Sequence, residues 1–489
     1  MNKFHICILL FALFASCANQ HEPSGTYDLL PLIVPDYADV TVPPNVAPLN
    51  FSVPEITKGY VSFESKNYSF VVGIRKGDLS VPKRKWKKIL GENRGKDISV
   101  SVISKDEGRY MSYRPFAISV SLEEIDPFVV YRRIDPGYEL WNKMGIYERE
   151  IESYKERPLY ENKMTGMNCV NCHSFAQYNP DIMSFHMRSS FSGTYILKGN
   201  NIEKLLIDNN EAGVPSLVYP SWHPEGRFVA YSSNVTRQGF YTNDPNRIEV
   251  FDNASDIVIY DSENHLINKS SLLFSENSFE TFPSFAPDGK SLYFCSAPAV
   301  KMPDSFDSVK YNILRVSFDP ENGTIGNKID TVFNCMDTCS ASFPRVSPDG
   351  DYLLFTVMKY GNFSIWHREA DLKMVDLRTG QFVDTDPWNS EETESYHSWS
   401  SNGRWVVFSS RRGSTLFTRL YFGYIDNEGN VKKPFLMPQK NTGYYDYLLQ
   451  SYNIPEFTTF RSKMSSFRVS RVAKSDKAIK VRQGLNEGF

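Results

Sequence analysis

Four stretches of this chain share one pattern, and they decide its fold. They read YPSWHPEGRFVAYSS (219–233), FPSFAPDGKSLYFCS (282–296), FPRVSPDGDYLLFTV (343–357) and YHSWSSNGRWVVFSS (396–410). Their starts lie 63, 61 and 53 residues apart. Each copy has an aromatic residue, a short approach, a turn and a β-rich run. Pro-Asp-Gly suits the turn because Pro fixes φ, Asp bonds its own backbone and Gly accepts a positive φ.

Further strands follow each copy, such as DIVIY (256–260) and YNILRV (311–316). Each unit therefore holds about four strands, and four-stranded units in tandem are typical of propeller blades. The copies resemble the PD40, or TolB-like, propeller repeat over residues 215–412. The first copy departs from it at Glu225, and the last at Ser401 and Asn402. The resemblance implies a mainly β fold with a TolB-like propeller over 191–470 and a C-terminal tail over 471–489. Strands at 193–206 and 451–460 would share one further blade, giving five blades, or six.

Alternating apolar residues at 98–102 and 116–122 predict half-buried strands in the N-terminal part. We expect a β-sandwich-like domain over residues 50–135. Its basic run at 83–88 is either a solvated helix face with Trp86 packed inward, which we favour, or a contact for an acidic surface. Leu140, Met144, Tyr147, Ile151 and Tyr154 follow helical spacing. This predicts a helical linker over 136–190.

The first residues indicate export. Residues 4–14 are almost all apolar, and Ala15 and Ser16 then precede Cys17. This end resembles a bacterial lipobox, which implies cleavage before Cys17 and lipidation of that residue; an ordinary signal peptide is the alternative. We expect a signal peptide over 1–17, a tether over 18–49 and a lipoprotein of the outer membrane that faces the periplasm. Ala18 stands where Asp would favour the inner membrane.

Residues 169–173 read CVNCH, the attachment motif of c-type haem. In such sites two thiols bind the porphyrin and the adjacent His ligates iron. The motif predicts haem c held by Cys169, Cys172 and His173. His186 is our first candidate for the sixth iron ligand and Met183 the second. A Cys169–Cys172 disulfide or redox pair and a metal site are the alternatives.

The whole chain resembles exported TolB-like propeller proteins that carry one C-x-x-C-H motif. This resemblance implies a membrane-anchored haem protein for electron transfer or redox sensing, with a redox or envelope protein as partner. The alternative is a propeller scaffold without redox chemistry, in which Cys169 and Cys172 form a disulfide. A haem enzyme such as a peroxidase would need an open sixth position.

Other classes lack support in the sequence. Lys and Arg total 54 against 57 Asp and Glu, so nothing marks a strongly basic nucleic-acid binder. No G-x-S-x-G or H-E-x-x-H motif is present. Cys335 and Cys339 suit a small disulfide loop, and Cys295 a buried thiol. We expect the remaining histidines of the repeat region to pack inside the blades rather than line a rim: His223, His367 and His397.

Overall fold

The computed structural model describes residues 22–135, 143–207, 213–336 and 338–487. The predicted signal peptide and Cys17 lie outside the described residues. The fold is mainly β, as predicted. No helix in the described part of the chain is long and apolar enough to cross a membrane.

Nine strands form an N-terminal sheet. Their order is β1-β8-β7-β4-β5-β6-β3, with β9 beside β7 and β2 beside β9. Helix α1 (Lys83–Glu92) buries Trp86, which confirms the favoured interpretation of the basic run. The strands are β1 (Gly25–Tyr27), β2 (Val40–Val42), β3 (Phe51–Ser52), β4 (Lys58–Glu64), β5 (Ser69–Arg75), β6 (Asp78–Leu79), β7 (Lys96–Asp106), β8 (Arg109–Tyr113) and β9 (Phe116–Val120).

The prediction of a tether up to residue 49 is wrong for its described part. Tyr37 and Val40 are fully buried, and β2 pairs with β9. Apolar side chains between residues 33 and 49 join the same core as the N-terminal sheet and reach Trp405. Their burial favours order over a free linker.

Six four-stranded groups make up the rest of the β structure. Five use consecutive strands, and the sixth has the order β12-β11-β10-β33, so the end of the chain completes a group begun near residue 128. The early strands are β10 (Phe128–Ile134), β11 (Met144–Glu150), β12 (Glu156–Glu161), β13 (Val170–Ala176), β14 (Asn179–Met187), β15 (Gly193–Lys198), β16 (Asn201–Ile207), β17 (Val218–Trp222), β18 (Phe228–Phe240), β19 (Ile248–Asp261) and β20 (Leu266–Ser270).

The later strands complete the groups: β21 (Ser278–Phe285), β22 (Ser291–Pro298), β23 (Asn312–Asp319), β24 (Thr324–Phe333), β25 (Ser340–Val346), β26 (Tyr352–Met358), β27 (Asp371–Asp376), β28 (Phe382–Val383), β29 (Glu394–Trp399), β30 (Trp405–Ser410), β31 (Arg419–Ile425), β32 (Val431–Leu436), β33 (Ser451–Thr458) and β34 (Ile479–Glu487). Two short helices lie between them, α2 (Tyr444–Tyr447) and α3 (Ser466–Ala473). Tandem four-stranded antiparallel groups make this a β-propeller-like fold.

The predicted helical linker is wrong. Met144 and Tyr147 lie on β11, and the CVNCH motif lies at and within β13, so both regions are strands. Strand β11 pairs with β10 on one side and β12 on the other, and nearly all of its side chains are buried. A strand buried on both faces shows no alternation, so its apolar spacing resembled a helix by coincidence. Leu140 lies outside the described residues.

The chain ends also differ from prediction. Strand β33 pairs with β10, whereas β15 and β16 continue the group of β14, so 193–206 and 451–460 do not share a group. The region 471–489 is not a simple tail. Strand β34 runs parallel to both β16 and β20 and joins their two groups into one sheet.

The inner strand of each four-stranded group contains the same β-bulge. One residue in each has a left-handed backbone, with φ between 48° and 56°, and the strand register shifts beside it. Such β-bulges bend a strand and redirect its side chains. The six bulge residues are Cys172, Tyr219, Phe282, Phe343, Tyr396 and Ile454.

Candidate functional site

The CVNCH motif occupies the position of the blade repeat. Cys172, His173, Ser174 and Phe175 stand at the bulge of β13 as Tyr396, His397, Ser398 and Trp399 stand at the bulge of β29. The strand register shifts across Cys172 and His173 in β13 and across the equivalent Tyr396 and His397 in β29. The second half of the motif is therefore a copy of the repeat.

The motif's side chains are buried and uncharged. Cys169, Cys172 and His173 are 7%, 2% and 2% exposed. Burial raises the pKa of both thiols, for Cys172 to about 11, and lowers the pKa of His173 to about 3. The thiols thus stay protonated and the imidazole neutral at ordinary pH, and a protonated thiol is a poor nucleophile and metal ligand.

These residues do not fit a covalent haem, and the predicted haem electron-transfer role is corrected here. Cys172 and His173 line one cavity while Cys169 lines another, so the two thiols and the imidazole do not face one common space. In the described part of the chain no three His, Cys, Asp or Glu side chains form a metal-binding group.

Neither candidate for the sixth iron ligand is available. His186 pairs with Asn171 across the two strands, and its Nδ1 lies 3.1 Å from the hydroxyl of Thr194. Burial lowers its pKa to about 3. Met183 is fully buried in the apolar core beside Phe185 and Tyr195. Both side chains serve the packing of β14.

The predictions for the other cysteines agree better with the structure. Cys335 and Cys339 form the predicted disulfide. Cys295 is a buried free thiol, as expected. Cys169 and Cys172 are also free, so the alternative prediction of a Cys169–Cys172 bridge is wrong in this structure.

The histidines of the repeats mostly serve packing. His223 Nε2 lies 3.0 Å from the carbonyl oxygen of Gly289, and His397 Nε2 lies 3.1 Å from that of Leu354. These contacts confirm the packing interpretation for both. His367 is buried between two carboxylates, with Nδ1 3.4 Å from Glu369 and Nε2 3.8 Å from Glu249.

The inner strands surround a common cavity. All six bulge residues line it, and its volume is about 40 Å³. Hydrogen bonds join neighbouring inner strands around it: Trp222 Nε1 donates to the Ser174 carbonyl at 3.2 Å, and Phe175 N donates to Glu456 Oε2 at 2.9 Å. The second bond links β13 to β33, so the last inner strand lies beside the first. We call this space the channel.

A larger cavity of about 300 Å³ lies next to the channel and shares Tyr219 and Tyr396 with it. We call it the mouth. One carboxylate, that of Asp135, lines it among the described residues, and that group already accepts a hydrogen bond from Gln450 at 2.7 Å. Four guanidinium groups line it: Arg132, Arg188, Arg237 and Arg411. The mouth therefore carries a clear excess of positive charge.

Arg411 is the most informative of the four. It is 6% exposed, and its Nε is buried and has no hydrogen-bond partner among the described residues. The nearby Glu392 pairs with Arg368 at 3.0 Å. Burial lowers the pKa of Arg411 to about 10. A buried donor on a cationic side chain is costly when it lacks an acceptor, so it points to an anion that the described residues do not supply.

Aromatic and aliphatic side chains form another wall of the mouth. The Arg411 guanidinium lies 5.3 Å from the ring centre of Trp366, within cation–π range. Phe363, Ile365 and Leu416 lie on the same wall. The mouth thus offers both positive charge and an apolar surface to one ligand.

Sequence reasoning missed this site because its arginines come from four separate parts of the chain. They lie on β10, after β14, in the β18–β19 hairpin and after β30. No local motif marks them. The one available signal was Arg411-Arg412 directly after the last repeat, since a charged pair at the end of a buried strand needs partners.

Comparisons with known proteins identify no family. No family model matches, and no curated protein does. Among solved structures, the chain matches a puromycin-hydrolysing peptidase from Mycobacterium tuberculosis at 11% identity and a TM-score of 0.35, over 82% of this chain and 57% of that one. Dipeptidyl peptidase 4 from Porphyromonas gingivalis matches at 12% identity and a TM-score of 0.30, over 69% of this chain and 51% of that one. Prolyl oligopeptidase B from Galerina marginata matches at 8% identity and a TM-score of 0.35, over 79% of this chain and 52% of that one.

The chain therefore covers less than two thirds of each of these structures. At such values the similarity carries no conclusion about family or activity. The three names are those of hydrolases, and none of them names a haem.

Proposed function

We propose that this protein is a six-bladed propeller that binds an anionic ligand at the mouth of its central channel. The observation that carries the proposal is the buried Nε of Arg411, which has no hydrogen-bond partner among the described residues, in a cavity that four arginines and one engaged carboxylate line. The role is recognition of the ligand, with no electron transfer.

The blade count rests on the inner strands. Six strands carry the same bulge, line the same channel and contact one another in sequence. The group completed by β33 and β10 would close the ring, because it joins the two ends of the repeat region. Closure removes exposed sheet edges at the ring junction.

Charge-assisted hydrogen bonds explain why arginines suit such a site. A guanidinium presents several donors in a fixed plane and matches carboxylate or phosphate oxygens two at a time. A partly enclosed cavity strengthens these contacts because less water screens them. The hydrogen bond from Arg132 to the Asn171 side chain holds one guanidinium in place beforehand.

Binding of simple anions tests the proposal. Citrate and inorganic phosphate should quench or shift tryptophan fluorescence in a saturable way, since Trp366 lines the mouth. Added salt should weaken the binding. Arg411→Gln should lower affinity by roughly tenfold or more. Arg378→Gln is the matched control, because Arg378 is exposed and paired with Asp376 at 2.7 Å. Equal binding by the wild type and Arg411→Gln, or no saturable binding, would refute the proposal.

We propose, as a separate point, that the protein is a lipoprotein of the bacterial cell envelope. The apolar run at 4–14 followed by Ala15, Ser16 and Cys17 supports this. Two or three acyl chains on Cys17 would anchor it to a membrane. Mass spectrometry of the mature N-terminus tests it: a lipidated Cys17 is expected, and a mature chain that starts elsewhere without lipid would overturn it.

A further inference from the structure

A long hairpin covers part of the mouth. Strands β18 and β19 have 13 and 14 residues, whereas the matching strands β22 and β23 have 8 each. The excess, residues 236–252, is paired from Thr236↔Asp252 to Phe240↔Ile248 and extends past the blade. We call it the roof hairpin. Thr236, Arg237, Gln238 and Val250 line the mouth from this side.

The roof hairpin is fastened on the far side of the mouth. Tyr360 donates a hydrogen bond to Glu249 Oε2 at 2.9 Å, and the backbone of Arg368 donates to Asn246 Oδ1 at 3.0 Å. Tip residues 242–245 share a second cavity, of about 360 Å³, with Arg411 and Glu392. Tyr360 and Arg368 precede β27, and Arg411 follows β30. The roof hairpin, which belongs to the group β17–β20, therefore reaches the groups β25–β28 and β29–β32.

The mouth is therefore enclosed between the roof hairpin and the inner strands. Glu249 is 2% exposed, and its hydrogen bond with Tyr360 and its proximity to His367 hold the hairpin to the body. The roof hairpin narrows the approach to Arg411 through the mouth, which disfavours a folded protein or a long chain as the ligand. A small molecule can still reach Arg411.

The charges and the apolar wall indicate what that molecule carries. Arg132 lies on β10 beside Asn171 and Arg188 follows β14, whereas Arg411 follows β30 and lies beside Trp366. Cations contributed by three different groups around one cavity suit a ligand with more than one anionic group. The ring of Trp366 and its neighbours suit a flat apolar body between those groups.

We propose that the ligand of the mouth is a small molecule with at least two carboxylates, or equivalent anionic groups, separated by a flat apolar body. This inference rests on the proposed anion binding and narrows it to one chemical class. It excludes acidic proteins and long acidic chains as ligands of Arg411.

Four probes, used on the wild-type protein, test separately whether binding needs two carboxylates, a ring and a small ligand. Terephthalate has two carboxylates and a ring, benzoate has one carboxylate and a ring, succinate has two carboxylates and no ring, and long poly-glutamate is an extended polyanion. We expect terephthalate to bind roughly ten- to a hundredfold more tightly than benzoate and severalfold more tightly than succinate. Poly-glutamate should not bind in an Arg411-dependent way.

The outcomes distinguish this inference from the proposed function. Loss of terephthalate binding in Arg411→Gln but not in Arg378→Gln supports both. Arg411-dependent binding of poly-glutamate, or of benzoate as tightly as terephthalate, would overturn the inference and leave anion binding intact. Absence of any Arg411-dependent binding would overturn the proposed function itself.

A second variant tests the roof hairpin. Asn246→Ala removes the acceptor for the Arg368 backbone without touching the mouth. It should speed terephthalate association and dissociation at nearly unchanged fold stability, because a looser hairpin opens more often. Unchanged rates in a variant with a native unfolding temperature would contradict the enclosure of the mouth.

Discussion

Two neighbouring arginines at the end of β30 show how one residue's partners decide its role. Arg411 is buried and its Nε has no hydrogen-bond partner among the described residues, whereas Arg412 pairs with the fully buried Glu394 at 3.0 Å. The first carries an electrostatic cost that a ligand would offset. The second neutralises a buried carboxylate and therefore stabilises the fold.

Substitution of each arginine by Met should have opposite effects. Arg411→Met removes an uncompensated buried charge, so we expect it to raise the free energy of unfolding by about 1–2 kcal/mol while abolishing anion binding. Arg412→Met leaves Glu394 buried without its counter-ion, with only the hydrogen bonds from Ser390 and Ser410, and should lower the free energy of unfolding by about 3 kcal/mol. Denaturant unfolding of both variants measures these changes. Destabilisation by Arg411→Met would show that its charge is already satisfied.

Glu456 gives the channel a pH-dependent stability. Burial raises the pKa of this carboxyl to about 7, and nearby Arg345 opposes the shift. Between pH 4.5, its ordinary pKa, and pH 7 the folded protein holds a proton that the unfolded chain has released. Its contribution to stability is therefore present below about pH 4.5 and falls as the pH rises through about 7, by at most about 3 kcal/mol.

Glu456→Gln should make this part of the pH profile shallower, because the amide cannot titrate. Part of the slope should remain, since burial also raises the pKa of Glu280 to about 7. The profile is obtained from unfolding curves at several pH values. Glu391→Gln is the control, since Glu391 is exposed. A profile that keeps its full slope in Glu456→Gln would assign the dependence to another group.

At the scale of the element, β34 is the least expected feature. It runs parallel to β16 and β20 and buries Val481 completely in the core between them. Without it, both strands would expose unpaired edges, which favour aggregation. Strand β34 therefore links the two groups into one hydrogen-bonded sheet.

Val481→Ala should lower the free energy of unfolding by about 1–2 kcal/mol because it leaves a cavity between those two groups. Lys480→Ala, an exposed neighbour on the same strand, should change it by less than about 0.5 kcal/mol. A chain that stops after Lys477 should also scatter light on heating more strongly than the full chain. Equal effects of the two substitutions would mean that β34 is not packed as described.

The sequence predicted the elements whose signal is local. Pro-Asp-Gly turns and alternating strands identified the four central groups, and Cys335 with Cys339 identified the disulfide. The CVNCH motif misled because its spacing matches haem attachment, although Cys172-His173-Ser174-Phe175 also matches Tyr396-His397-Ser398-Trp399. That second match was visible in the sequence. The sequence predicted that 451–460 would complete a group, but with 193–206 rather than with β10. The pairing of β33 with β10 and the arginines of the mouth could not be predicted, because they depend on residues hundreds of positions apart.

At the scale of the whole molecule, the N-terminal sheet and the propeller-like body share one core. Val42 and Val61 of the sheet lie in the same apolar cluster as Trp405 and Phe422. Asn50 links the two parts further, since its amide donates to the carbonyl of Lys440 at 3.0 Å and its Oδ1 accepts from Val81 N at 2.9 Å. We therefore regard the two parts as one folding unit.

This shared core predicts a single cooperative unfolding transition. Asn50→Ala should lower the midpoint of this transition and reduce the free energy of unfolding by about 2–3 kcal/mol, because several buried polar groups lose their partner. Calorimetry and tryptophan fluorescence should report the same transition. Two separate transitions in the wild type would instead show that the sheet folds independently.

The central claim concerns what occupies the mouth, and a crystal structure of the protein soaked with terephthalate tests it most directly. We predict the ligand's ring against Trp366, one carboxylate on Arg411 and the other on Arg132 or Arg188, with both thiols of Cys169 and Cys172 unmodified. A mouth without terephthalate, or a prosthetic group bonded to those two thiols, would contradict the account.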